Sequence, residues 1–230
     1  MGKGIFSVRR KTRFKELFES DVVVEYTNFL LMRMLLFSDI HANKNYCRDL
    51  VEMAEDVDLV IGAGDFGRLR TGISKTIGWL SEIEKPSLLV PGNAESDNEL
   101  TKACKKWQSA IVLHGKGVVI DGINFYGIGG GIPITPFGPW SWDLSEEKAS
   151  ELLADCPEFS VLISHSPPKG ILDLSSRGKH LGSKTIRDFI HKKSPQMIVC
   201  GHIHESGGKL ENYLGTVVIN AGPKGIIYEM

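Results

Sequence analysis

Five times along this 230-residue chain a short apolar run ends on side chains that bind metals. Leu35-Leu36-Phe37-Ser38 leads to Asp39 and His41, and the run from Leu59 to Gly64 leads to Asp65. Leu88-Leu89-Val90-Pro91-Gly92 leads to Asn93, Val161-Leu162-Ile163-Ser164 to His165, and the run from Met197 to Gly201 to His202 and His204. Short apolar runs bounded by Gly, Pro and Ser have the pattern of buried parallel strands. In open α/β sheets the crevice beyond the carboxyl ends of the strands is where ligands bind. The pattern therefore delivers two Asp, one Asn and four His to one sheet edge, a ligand set for two metal ions and the mark of a hydrolase candidate.

From Met34 onward strands and helices alternate. Helices are expected over 44–55 and 71–84, from a Ser96/Glu99 capping box to Trp107, from an Asp143/Glu146 capping box to Leu153, and over 183–193. Further strands are expected at 110–113, 117–120 and 123–127, the last two joined by the hairpin pair Asp121-Gly122. Hairpin-like strands at 209–210, 216–221 and 225–229 close the chain. The first half is thus βαβα with parallel strands, while the middle and end add antiparallel ones. Two packed sheets with helices outside them satisfy this order. Residues 34–230 form one domain in this reading, and 1–33 an N-terminal extension with basic residues at Lys3, Arg9, Arg10, Lys11, Arg13 and Lys15.

A net charge of −1 argues against a protein that coats nucleic acid. The apolar stretch from Val22 to Phe37 is broken by Glu25, Asn28 and Arg33, so no membrane span is expected. Four scattered cysteines without a C-x-x-C pair fit a reducing, cytoplasmic setting and structural roles.

Two carboxylates, imidazoles and an amide oxygen suit manganese, iron or zinc better than calcium or magnesium, which prefer all-oxygen shells. A single buried His is ordinarily a hydrogen-bonded core residue, and a single Asp after a strand a helix cap. Seven such residues at strand ends are not explained that way. His114 is expected at a strand end, and His180 and His191 on surfaces.

Asp39-x-His41, Gly64-Asp65, Gly92-Asn93, His165 and Gly201-His202-x-His204 together resemble the calcineurin-like metallophosphoesterases, in that order and at similar intervals from Met34 to the C-terminus. The resemblance implies an α/β four-layer αββα sandwich of two mixed β-sheets flanked by helices. It implies a dinuclear site in which Asp39, His41 and His204 hold one ion, Asn93, His165 and His202 the other, and Asp65 bridges them. Manganese is the expected ion, with iron, zinc, nickel and cobalt as alternatives. The implied reaction is attack of a metal-bridged hydroxide on phosphorus, with Asp65, Asn93 and His165 at its centre.

One position departs from the pattern. The family continues Gly-Asn-His, with the histidine holding phosphate and protonating the leaving group, whereas this chain has Ala94, then Glu95. Alanine donates no proton. Hydrolysis of phosphodiesters or activated esters is therefore expected rather than of plain monoesters. The alternative is a metal-binding scaffold or interaction protein with weak or no catalysis. Glu95 is expected on the surface, ahead of the Ser96 cap.

The loop from Gly129 to Trp142 is rich in Gly, Pro and aromatics, as binding loops often are. Phe137, Trp140 and Trp142 are candidates to stack on substrate, as is His180 at a second loop, together forming a substrate rim. Packing of the aromatics on their own domain or on a dimer partner is the competing expectation. A small phosphoester, a nucleotide among the candidates, is the expected partner, with a homodimer left open.

Overall fold

The computed structural model describes residues 31–230. The extension expected over 1–33 lies, through residue 30, outside the described residues. Two mixed sheets form the centre of the described chain. One contains β1 (Arg33–Phe37), β2 (Leu59–Gly62), β3 (Ser87–Leu89), β4 (Ala110–Val112) and the returning β11 (Ile226–Glu229). The other contains β5 (Lys116–Ile120), β6 (Ile123–Ile128), β7 (Val161–Ser164), β8 (Met197–Cys200), β9 (Lys209–Tyr213) and β10 (Thr216–Asn220). Strands β1 to β4 run parallel in order, as do β6, β7, β8 and β10, while β5, β9 and β11 join at the edges antiparallel. Strand β11 does not close a hairpin on β10, as its sequence position suggested. It crosses to the other sheet and pairs with β1, Leu35 opposite Ile227.

The period of two along each strand accounts for the layering. On β1, Leu35 and Phe37 face α1 (Lys44–Met53), α2 (Ile73–Leu80) and α3 (Asp97–Ala103), packing with Cys47, Leu50, Ile77, Leu80 and Leu100. Met34 and Leu36 point the other way, into a layer shared with Leu88, Phe125, Ile163, Val199 and Ile219. That layer contains buried residues of both sheets. On the far side, Leu162, Ile198 and Val218 meet α4 (Glu146–Leu153) and α5 (Lys184–Lys193) through Ala149, Leu153, Ile186 and Phe189. Three apolar layers between helices, sheet, sheet and helices make the four-layer sandwich.

Local chemistry sets the element ends. Ser96 and Glu99 form the expected capping box on α3, while the Ser183 hydroxyl caps α5. The expected Asp143 cap on α4 is a correction. Ser145 takes that role, its hydroxyl accepting from Lys148 N, because the Asp143 carboxylate is occupied by Thr135 and Ser141. Glu146 is also engaged elsewhere, accepting from the Ser183 hydroxyl and the amides of Lys184 and Thr185 at the start of α5. Helix α2 begins at Ile73 rather than 71, because Arg68 and Thr71 close a turn on each other's backbone. Met32 pairs with Met230 through both backbone groups, so ordered pairing begins two residues before the expected boundary. No helix among the described residues is long and apolar enough to cross a membrane.

Candidate metal centre

The loops that follow β1, β2, β3, β7 and β8 at their carboxyl ends bring the seven singled-out residues together. The Asp65 carboxylate stands between two groups, Oδ2 lying 3.7 Å from His41 Nε2 and Oδ1 3.4 Å from His165 Nε2. On one side, His41 Nε2 and His204 Nε2 face each other at 3.1 Å, and His204 Nε2 lies 3.6 Å from Asp39 Oδ1. On the other, the Asn93 carbonyl oxygen is 3.1 Å from His165 Nε2 and 2.9 Å from His202 Nδ1. The ligand atoms of Asp39, His41 and His204 all lie within 4.8 Å of one another, as do those of Asp39, Asp65 and His165.

Neighbouring groups aim these donors. A backbone carbonyl can only accept, so His41 Nδ1–H donates to Gly67 O (3.1 Å) and His165 Nδ1–H to Ala63 O (2.8 Å). Each bond turns Nε2 into the cluster and, in the neutral ring, fixes the tautomer a metal ligand needs. The Ser38 hydroxyl donates to Asp39 Oδ2 (2.6 Å), and the Asn93 amide nitrogen donates to Ser141 Oγ (3.1 Å), turning its oxygen inward. Asn220 donates to the carbonyls of Gly201 and Ile203, on either side of His202.

The backbone is strained where the cluster is tightest. Asp39, His41, Asp65 and His202 have φ of +57°, +48°, +58° and +68°, each costing about 1–3 kcal/mol for a residue with a side chain. Two glycines are required by close approach. A Cβ on Gly92 would overlap the carboxylate and amide of Asp65, and one on Gly201 the Asp39 carboxylate and Ser38 hydroxyl.

The electrostatics favour added positive charge. Burial works to raise the Asp39 carboxyl, yet His204, the charge of His165 and the Ser38 hydroxyl hold it at about 2. Burial raises Asp65, against the pull of His165. Burial and the charge of His165 push His202 down to about 3, and burial also lowers His41, so both imidazoles are neutral and able to ligate. His165 is raised although burial opposes it, because the carboxylates of Asp65 and Asp39 favour a cation there. Hydrogen bonding to Asp39 raises His204. Carboxylates, imidazoles and an amide oxygen around the buried Asp65 form a donor set that fits borderline divalent ions.

Glu95 corrects the sequence expectation. It is buried, not on the surface: Oε1 accepts from Gly92 N (2.8 Å) and Phe66 N (3.2 Å), Oε2 from Gly67 N (2.9 Å). Burial and the Asp65 charge raise its carboxyl to about 7, against the amides of Gly92 and Gly67. It thus ties the loop bearing Asp65 to the loop bearing Asn93. No pattern around Glu95 announced this, since its partners are backbone amides brought together only by the fold. Asn220 escaped notice in the same way, its carbonyl partners lying 17 and 19 residues away.

A cleft of about 490 Å³ opens beside the cluster, lined in part by Asn43, Tyr46, Arg68, Leu69, Ala94 and Trp140. Of the expected rim residues, Trp140 lines it. Trp142 turns onto His114, with ring centroids 5.1 Å apart, and its amide donates to Asn93 O (2.8 Å), so it packs on its own domain. Phe137 is exposed to solvent. His180 is bound at Nδ1 to the buried Asp173 (2.6 Å), which also accepts from Gly170 and Gly182 and so organises its own loop. His114 Nδ1 accepts from Gly129 N, a structural role at a strand end, and His191 stands exposed beside Tyr213.

A family model for calcineurin-like phosphoesterases matches residues 32–206, a span that includes every residue of the cluster. The probable rhamnogalacturonate lyase C of Emericella nidulans is 28% identical over 196 residues, covering 78% of this chain and 18% of the fungal protein. A UPF0046 protein of Caenorhabditis elegans is 34% identical over 114 residues, covering 47% of this chain and 36% of that protein. The chain therefore spans well under half the length of these curated relatives. Among solved structures, TT1561 of Thermus thermophilus superposes with a TM-score of 0.68 at 17% identity, over 86% of this chain and 99% of that one. A dimetal phosphatase of Danio rerio superposes at 0.53 and 14% identity, over 82% and 86%. Such identities show a shared fold. With the family match running through the whole cluster, the chain belongs to the calcineurin-like phosphoesterase family.

Proposed function

We propose that this chain is a dinuclear divalent-metal phosphoesterase acting on phosphodiesters and activated phosphoesters. The observation that carries the reading is the Asp65 carboxylate, buried and standing between an Asp39/His41/His204 group and an Asn93/His165/His202 group. In this reading Asp65 would be shared between the two ions, manganese being the expected metal. When bound, the pair of ions supplies Lewis acidity toward the phosphoryl oxygens and a nucleophile at neutral pH.

The remaining roles belong to the chain. The Ala63 and Gly67 carbonyls fix the His165 and His41 tautomers, and Ser141 keeps the Asn93 oxygen turned inward. Asn93 adds no charge, which leaves the centre cationic toward an anionic ester. Ala94 brings its amide to Asp65 Oδ1 (2.7 Å) but no side-chain acid to the leaving group. Esters whose leaving groups depart without a proton are therefore the favoured substrates. The same residue supports the second reading, a metal-binding scaffold with little turnover.

Hydrolysis of an aryl phosphodiester, with and without Mn²⁺, tests the proposal against an Asp65→Ala control. Metal-dependent turnover that the control lacks is expected. Inertness of the metal-loaded wild type across aryl, nucleotide and cyclic-nucleotide esters would leave the scaffold reading in its place. Cytoplasmic residence and a small-molecule partner form part of the same proposal.

A further inference from the structure

The cleft holds side chains that the metal centre does not use. Arg68 and Leu69 lie on the turn just after Asp65, with Trp140 on the long loop. The chain between Asp65 and Arg68 is tied down, Gly67 N donating to Glu95 Oε2 (2.9 Å) and Gly67 O accepting from His41 Nδ1 (3.1 Å). The turn then closes through Arg68 N to Thr71 O (2.8 Å), Thr71 N to Arg68 O (2.9 Å) and the Thr71 hydroxyl to Arg68 O (2.8 Å). Leu69 and Arg70 accept φ of +47° and +62° to make it.

The two arginines of this turn differ. The Arg70 guanidinium pairs with Glu99 at 2.8 Å. Arg68 has no carboxylate partner among the described residues, and it lines the cleft beside Ala94. A planar guanidinium offers a fork of N–H donors that matches phosphate oxygens two at a time. Leu69 and Trp140, at 62% and 64% exposure, hold large apolar surfaces out at the mouth of the same cleft.

We propose that Arg68 is the phosphate-binding residue of this cleft, and that Leu69 and Trp140 receive an aromatic group esterified to that phosphate. The proposal rests on the phosphoesterase reading for its substrate class. The substrate is then an aryl or similarly flat ester, held by the guanidinium of a residue whose backbone is tied down and by an apolar ledge in the cleft where Ala94 provides no donor.

The test is calorimetric binding of inorganic phosphate to the full chain loaded with Mn²⁺, for wild type, Arg68→Gln, Arg68→Lys and Trp140→Ala. Arg68→Gln should weaken phosphate roughly tenfold to a hundredfold, the loss expected for charge-assisted hydrogen bonds, with Mn²⁺ content unchanged. Arg68→Lys should recover part of the loss, as a point charge without the fork. Trp140→Ala should leave phosphate binding intact and erase the tighter calorimetric binding of phenyl over methyl phosphodiesters. Unchanged phosphate affinity in Arg68→Gln overturns the proposal, as does loss of Mn²⁺ from that variant or a wild type that binds phenyl and methyl esters equally tightly. A wild type that binds phosphate through Arg68 yet hydrolyses nothing keeps this inference and removes the phosphoesterase reading, so the two fail separately.

Discussion

Restoring a proton donor at position 94 should change the rate in a way that depends on the leaving group. Ala94 is 5% exposed, lines the cleft of about 490 Å³, and is fixed by its own amide on Asp65 Oδ1 at 2.7 Å. Ala94→His keeps that backbone bond and places an imidazole on a residue that lines this cleft of about 490 Å³. General acid catalysis is worth about 10²–10⁴-fold. A new imidazole has no hydrogen-bond partner built to hold it, so the gain belongs at the lower end, about 10²-fold, or about 2.7 kcal/mol of barrier. That gain applies to alkyl leaving groups, whose departing oxygen needs a proton, while nitrophenolate leaves unaided and should gain little. The assay is kcat for wild type and variant, both Mn²⁺-loaded, over a diester series from nitrophenyl to alkyl. The variant should also lose its advantage as pH rises through the ordinary histidine value of about 6.5. An equal factor at both ends of the series would mean that the imidazole binds substrate rather than donating a proton. No gain with intact metal content would refute the account of Ala94.

Asp65→Asn keeps the shape of the carboxylate but not its charge, and should lower Mn²⁺ affinity by more than the roughly 10–100-fold typical of residues that only orient ligands; wild-type affinity by calorimetry would remove the bridging role. Glu146→Ala removes three accepted bonds of 2.7–2.9 Å at the start of α5. Because Glu146 is partly exposed, the cost is placed at about 2 kcal/mol, or about 4–8 °C in Tm, with metal binding unaffected. Burial works to raise the Glu146 carboxyl, but the Ser183, Thr185 and Lys184 bonds outweigh it and lower it. Its contribution is thus present above the unfolded carboxylate range and lost as pH falls through the folded value, so the gap between wild type and variant should narrow in acid melts. Burial pushes the thiols of Cys47 and Cys156 to about 11 and Cys104 to about 12, and raises Cys200 as well. A disulfide reagent at pH 8 should therefore titrate no fast thiol in the native chain and all four after unfolding.

The parts of the molecule legible in the sequence are those where one residue type has one physical use. Apolar runs such as Leu35 to Phe37 and Val161 to Ile163 mark buried strands because little else buries three successive large apolar residues. The Ser96/Glu99 box marked a helix start because both side chains serve neighbouring amides. Residues whose partners arrive from distant segments were hidden. Glu95 has the surroundings of a surface carboxylate until β2 and β3 bring the amides of Phe66, Gly67 and Gly92 around it. The Asp143/Glu146 pair had the spacing of a capping box, but Thr135 and Ser141 claimed the first carboxylate and α5 the second. Aromatic content alone could not separate Trp140 in the cleft from Trp142 against His114, because the loop's direction is set by backbone bonds to Asn93 and Gly131.

The cluster is also divided between the two sheets. Asp39, His41, Asp65 and Asn93 hang from β1, β2 and β3, whereas His165, His202 and His204 hang from β7 and β8. Neither sheet alone holds the set, so the 3.4 Å between Asp65 Oδ1 and His165 Nε2 depends on the fully buried layer of Leu36, Ile61, Leu88, Ile163 and Val199. A close-packed layer transmits small displacements rather than absorbing them. The bonds of Asp39 with His202 N, at 3.1 Å, and of Asn220 with Gly201 and Ile203 then lock the histidine loop in place. Four residues with side chains in left-handed backbone persist only because this frame over-determines them. The strain at Asp39, His41, Asp65 and His202 is therefore sustained by the apolar layer beneath it, which makes inter-sheet packing a determinant of the cluster's geometry as much as of stability.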